Sequence, residues 1–159
     1  MDQKWEVCSL PEQTEQQAKA YFREGLNCSE CVLLSFLDTH ESDLPREVVR
    51  LASGFGGGIG RTKHICGAIT GAVMALGSQK GRKNPFEKET PMERSLELKE
   101  DVYPHFASLL EAIRSRYGTV LCSELTAKHE DFNGKARRKS CQEIVAYCAL
   151  LAAKHAENA

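Results

Sequence analysis

The sequence predicts an all-α fold: a single-domain helical bundle of about six or seven helices with a glycine-rich loop between them. Three observations predict it. Apolar residues recur at helical spacing nearly everywhere, no segment alternates apolar and polar residues as a half-buried strand would, and helix-capping patterns recur along the chain. At 159 residues the chain is long enough for one domain with a real core. That domain is expected to take in residues 1–159, with its core from about residue 12 to residue 155.

Each element has its own signal. A first helix is expected from Pro11 to Arg23, stopped by Gly25. Asn27 can cap a second helix, with Glu30 three residues on as the reciprocal partner; it carries Cys31, Leu34 and Leu37 on one face and ends near His40. A short helix follows Pro45 through Val48, Val49 and Leu51, and the glycine-rich loop Gly54 to Gly60 comes next. A small, apolar helix is expected from about Ile65 to Leu76, closed by Gly77. After the polar connector Lys80 to Glu89, Thr90-Pro91-Met92-Glu93 opens a long helix that Pro104 should kink and Gly118 end. Val120 to Lys128 reads as a shorter helix with Thr119 as its cap. The charged stretch Glu130 to Lys139 reads as a solvated loop, and Ser140-Cys141-Gln142-Glu143 as the capping box of the last helix.

Composition narrows the function. Apolar residues make up 42% of the chain and charged residues 27%, the balance of a globular protein and not of a disordered one. With 21 basic and 22 acidic residues, nothing points to nucleic acid or to a membrane surface as partner. No apolar run is long enough to span a bilayer, and Met1 to Leu10 lacks the apolar stretch of a signal peptide, so a cytoplasmic location is expected.

Seven cysteines are many for this length: Cys8, Cys28, Cys31, Cys66, Cys122, Cys141 and Cys148. An odd count without an export signal argues against a disulfide framework and for metal ligation, redox chemistry or buried filler. On the expected helices, Cys28, Cys66, Cys122 and Cys141 all fall in first turns. Unpaired N–H groups and a partial positive charge favour a thiolate there, the form that both metal ligation and disulfide exchange use. Cys31 and Cys148 lie deeper in their helices among aliphatic residues and read as core. Cys8 falls in a terminus expected to fray.

The Cys28-Ser29-Glu30-Cys31 pair opens a helix with no strand before it, so no thioredoxin-like fold follows, and Val32 in place of histidine excludes covalent haem attachment. The spacing of the four first-turn cysteines is neither zinc-ribbon nor ferredoxin, so a shared site must be assembled by tertiary packing. The glycine loop lacks the preceding strand and the lysine-hydroxyl ending of a phosphate loop. Its bare N–H groups, Gly56, Gly57 and Gly58 among them, could instead donate to thiolates or cluster sulfurs. Of the five dispersed histidines only His64 is placed to assist a thiol, and it reads as a solvated loop residue. No Ser-His-Asp set, carboxylate pair or nucleotide fingerprint supports a catalytic assignment.

Asn27-Cys28-Ser29-Glu30, Gly54-Phe55-Gly56-Gly57-Gly58-Ile59, Cys66-Gly67-Ala68-Ile69-Thr70-Gly71, Cys122 and Cys141 together resemble the redox-active C-GCAxxG-C-C family, over about Tyr21 to Ala149. The resemblance implies four signature cysteines, at Cys28, Cys66, Cys122 and Cys141. Similar sequence occurs in split-Soret cytochromes, where an iron–sulfur centre accompanies the haems; the haem-attachment motifs are missing here, so only the cysteine part carries over. Three functions follow, in order of preference. The first is electron transfer by an iron–sulfur cluster on these four thiolates, the second a cluster-free thiol–disulfide protein, and the third a structural zinc site in an interaction module. The redox partner is not identified by sequence, and the apolar stripes suit a homodimer or a monomer equally.

Overall fold

The computed structural model describes residues 7–158, and among them it has seven α-helices and no β-strand. Helix α1 (Leu10–Arg23) begins earlier than Pro11 because Ser9 caps it: the Ser9 hydroxyl accepts from the Glu12 N–H, and the Glu12 carboxylate accepts from the Ser9 N–H. Helix α2 (Cys28–Thr39) has the expected capping box of Asn27 and Glu30. Two short 3-10 turns, Arg46–Leu51 and Ser53–Phe55, lead into the glycine loop.

Helix α3 (Gly67–Lys80) corrects the sequence reading at both ends. Cys66 stands at its N-cap, outside the helix proper, and the helix runs through Gly77 to stop at Gly81. A glycine with helical neighbours on both sides costs only about 1 kcal/mol, too little to end a packed helix. The long helix expected from Thr90 to Gly118 is three pieces: α4 (Pro91–Glu97), a π-helical turn (Leu98–Val102) and α5 (Tyr103–Tyr117). Pro104 has no N–H to give the preceding turn and its ring crowds that turn, so the chain widens before it; Gly118, with φ of 76°, closes α5 as expected.

Helix α6 (Cys122–Leu125) is a single turn, not the expected span from Val120 to Lys128, and Leu121, not Thr119, stands at its N-cap. The Thr119 hydroxyl instead accepts from the Leu121 N–H and donates to Glu124. Helix α7 (Lys135–Glu157) starts after Gly134, six residues before Cys141. Ser140 is therefore no cap. Lys135, Ala136, Arg137, Arg138 and Lys139 are good helix formers, and the helix propagates back through them.

Helix α7 packs along α1, α2 and α3, and α5 covers α3 and α7. The core between them holds Val32, Phe36, Ile69, Leu76, Leu109, Ile113 and Val145, all fully buried. Cys31 and Cys148 are buried there as well. No helix among the described residues is long and apolar enough to cross a membrane.

His40 ends α2 with its ring stacked on Phe36 at 3.9 Å and its Nε2 buried without a partner. Burial lowers its pKa below the ordinary value near 6.5. The folded protein thus holds His40 neutral while the unfolded chain takes up a proton near pH 6.5, so this contribution to stability is complete above that pH and is lost as pH falls below it. The thermal midpoint should drop as pH is lowered from 7 to 5, and less steeply in His40→Gln; identical slopes in the two proteins would remove His40 from the account.

Candidate functional site: a cavity ringed by four cysteines

Cys28, Cys66, Cys122 and Cys141 line one cavity, although more than a hundred residues separate the first from the last. The cavity has about 360 Å³ free of atoms, its mouth included, of which about 20 Å³ can hold the centre of a water molecule. Gly57, Gly58, Gly67, Leu125, Phe132 and Ile144 complete most of the wall. All seven cysteines are free thiols.

Local structure explains each sulfur's place. Cys28 is the first residue of α2, and the start of that helix is tied down from outside: Ser29 donates to the Ala52 carbonyl (2.6 Å), Asn27 to the Ser53 carbonyl (2.9 Å), and Ser53 to Glu30 (2.7 Å). Cys66 and Cys122 are brought together by a small backbone clasp. The Cys66 N–H donates to the Val120 carbonyl (2.8 Å) and the Cys122 N–H to the His64 carbonyl (2.7 Å), around an isolated antiparallel bridge between Ile65 and Leu121. Cys141 enters from the second turn of α7, beside Ile144.

The glycine loop winds left-handed. Gly57, Gly58 and Gly60 have positive φ, and so do Ile59, Arg61 and Lys63, where a side chain makes that conformation costly, about 1–2 kcal/mol each. Cross-loop hydrogen bonds such as Gly60 N–H to Gly54 O (2.8 Å) and His64 N–H to Gly58 O (2.9 Å) hold it. Two glycines are fixed by contacts with the cysteines. A Cβ on Gly58 would lie 2.8 Å from the Cys122 Cβ and 2.6 Å from the His64 nitrogen, and a Cβ on Gly67 would lie 2.8 Å from the Phe55 oxygen and 3.3 Å from the Cys28 Cβ. The wall thus comes up to Cys122 and Cys28 as bare backbone. Gly56 does not line the cavity; its missing Cβ makes room for the Asn27 side chain that caps α2.

Electrostatics reverse the expectation of low-pKa thiols. Burial pushes the Cys28 thiol well above its ordinary value, with the neighbouring thiols Cys66 and Cys141 adding to it. Burial also pushes Cys66 up to about 11, although the N–H groups of Ala68 and Ile69 favour its thiolate. Cys122 rises through burial and through Cys141, and Arg137 and Lys63 partly offset this. Desolvation and mutual repulsion outweigh the helix ends, so in the absence of a bound cation these thiols stay protonated. Cys141 lies beyond the first turn of α7, and Arg137, one turn earlier, donates from Nη1 to its sulfur at 3.7 Å.

Sequence reasoning missed Arg137, Lys63 and Phe132. The Phe132 ring lines the cavity and carries the Arg137 guanidinium at 4.3 Å, Lys63 Nζ at 4.5 Å and the Arg61 guanidinium at 5.7 Å from its centroid. An i, i+4 relation between Arg137 and Cys141 would have shown in the sequence had α7 been extended back through the basic run. His64 bonds Thr62 (2.7 Å) and does not line the cavity, in keeping with a loop residue. No group of three or more His, Cys, Asp or Glu among the described residues is arranged to hold a single metal ion.

Fold and site together define an all-helical protein that gathers four thiols from separate elements on one cavity. The chain belongs to the family described as "Putative redox-active protein (C_GCAxxG_C_C)", whose model matches residues 26–155 and so takes in all four cavity cysteines. It is also 25% identical over 142 residues to an "Uncharacterized protein" of Archaeoglobus fulgidus, a likeness covering 84% of this chain and 87% of that one. No solved structure matches the chain.

Proposed function

We propose that the protein transfers electrons through an iron–sulfur cluster held by Cys28, Cys66, Cys122 and Cys141. The observation that carries this reading is the convergence of four otherwise unpaired thiols on one apolar cavity with cations at its edge. Four thiolates suit a two-iron or a four-iron cluster. Seven free cysteines fit a reducing compartment such as the cytoplasm.

A cluster bound there supplies one-electron oxidation and reduction. The protein's own residues do the rest. The four thiols give up their protons on loading, so uptake releases acid. Arg137, Lys63 and the N–H groups of Ala68 and Ile69 offset the negative charge gathered in the cavity. Leu125, Ile144 and Phe132 limit water at the sulfurs.

Purification without oxygen, followed by metal and sulfide analysis and a visible spectrum, tests the proposal. Iron with acid-labile sulfide and a brown colour supports it. Stoichiometric zinc without colour would replace it by the structural-zinc reading, and a metal-free protein with a reversibly oxidised dithiol by the thiol–disulfide reading. Cys148 gives an internal control, since its fully buried side chain lies outside the cavity wall. Cys148→Ala should lose about 1 kcal/mol of stability and keep its metal content; loss of metal would place Cys148 among the ligands.

A further inference from the structure

A second concavity lies between the α1–α2 turn and the start of α7, with about 550 Å³ open to water centres, the size of a small-molecule site. Five of its nine lining residues are cations, Arg23, Lys135, Arg137, Arg138 and Lys139, and none is a carboxylate. In a chain of net charge −1 this is a strong local bias. The ion pairs of the described residues lie elsewhere, at Lys19–Glu15, Arg46–Asp38, Arg82–Glu97 and Lys83–Asp43, so no carboxylate of the described residues is within salt-bridge distance of these five cations. Gathering them in one cleft costs self-repulsion that an anion would relieve. Phe22 and Leu26 give the cleft an apolar wall, and the first turn of α7, which has no side-chain cap, opens beside it at Lys135.

We propose that this cleft binds a phosphorylated small molecule, with phosphoryl groups on the arginine and lysine heads and an apolar body against Phe22 and Leu26. Guanidinium forks and ammonium groups together suit a ligand with several phosphate oxygens better than a single carboxylate. Arg137 belongs to this cleft and to the cysteine cavity, which brings the bound anion next to the Cys141 sulfur without entering the cavity. The cleft is formed by side chains that no metal would hold, and of these Arg137 alone also lines the cysteine cavity.

Calorimetric titration of the protein purified without oxygen, at low ionic strength, tests it, with inorganic pyrophosphate, ATP and citrate as probes. Pyrophosphate and ATP should bind saturably, ATP more tightly because it also covers the apolar wall, and both should weaken as salt is added. The double variant Arg138→Glu/Lys139→Glu should weaken both by about tenfold or more, the contribution of one or two charge-assisted hydrogen bonds. Lys99→Glu, an exposed charge reversal on the π-helical turn, should leave them unchanged. Equal weakening by Lys99→Glu, binding of citrate alone, or no saturable heat with either phosphate compound would each overturn the proposal. A circular-dichroism melt of the double variant matching the parent shows that a lost affinity is not a lost fold.

Discussion

Cys66→Ser should strip the protein of iron and acid-labile sulfide while its far-ultraviolet circular dichroism stays at the parent level. The two readouts separate because of where Cys66 stands. It occupies the N-cap of α3, makes no side-chain capping bond there, and is followed by the N–H groups of Ala68 and Ile69 that favour its thiolate. Serine is among the preferred N-cap residues and can accept from those same donors, so the helix gains a cap where the site loses a ligand. The backbone bond from residue 66 to the Val120 carbonyl does not involve the side chain and persists. Removing one of the four ligands of the proposed cluster would leave iron with an open position and the remaining thiolates short of compensation. Full metal retention in Cys66→Ser would show that the four thiols do not share one site.

Gly58→Ala should cost both stability and metal. The residue has φ of 74°, where an alanine pays about 1–2 kcal/mol, and the new methyl would meet the His64 nitrogen and the Cys122 Cβ at distances no relaxed structure tolerates. The loop must shift, and with it the clasp that sets Cys122 against Cys66. A loss of about 2 kcal/mol or more is expected, which for a domain of this size lowers the melting midpoint by about 4–8 °C. Metal content should fall further than the folded fraction does, because the displacement is directed at Cys122, a proposed ligand. A Gly58→Ala protein that melts like the parent and keeps its metal would show that the loop's left-handed course does not set the site.

The all-helical fold, the caps at Asn27 and Thr90, the stop at Gly118 and the burial of Cys31 and Cys148 were legible in the sequence. So was the set of cysteines that meets in the cavity. Four helix starts do not define that set: α7 begins six residues before Cys141, because a run of good helix formers extends it back past the capping pattern at Ser140. Lowered thiol pKa values do not define it either, because burial raises those of Cys28, Cys66 and Cys122.

Sequence by itself determined that the chain is helical, where α2 and α4 are capped and α5 stops, and which side chains could carry thiol chemistry, because caps, periodicity and residue type act over a few positions of chain. Tertiary structure alone decided that the four sulfurs share a cavity, that Lys63 neighbours it, and that the glycine loop packs against Cys122. Those facts depend on contacts between segments tens of residues apart, and on the desolvation that packing imposes, neither of which has a local signature in the chain.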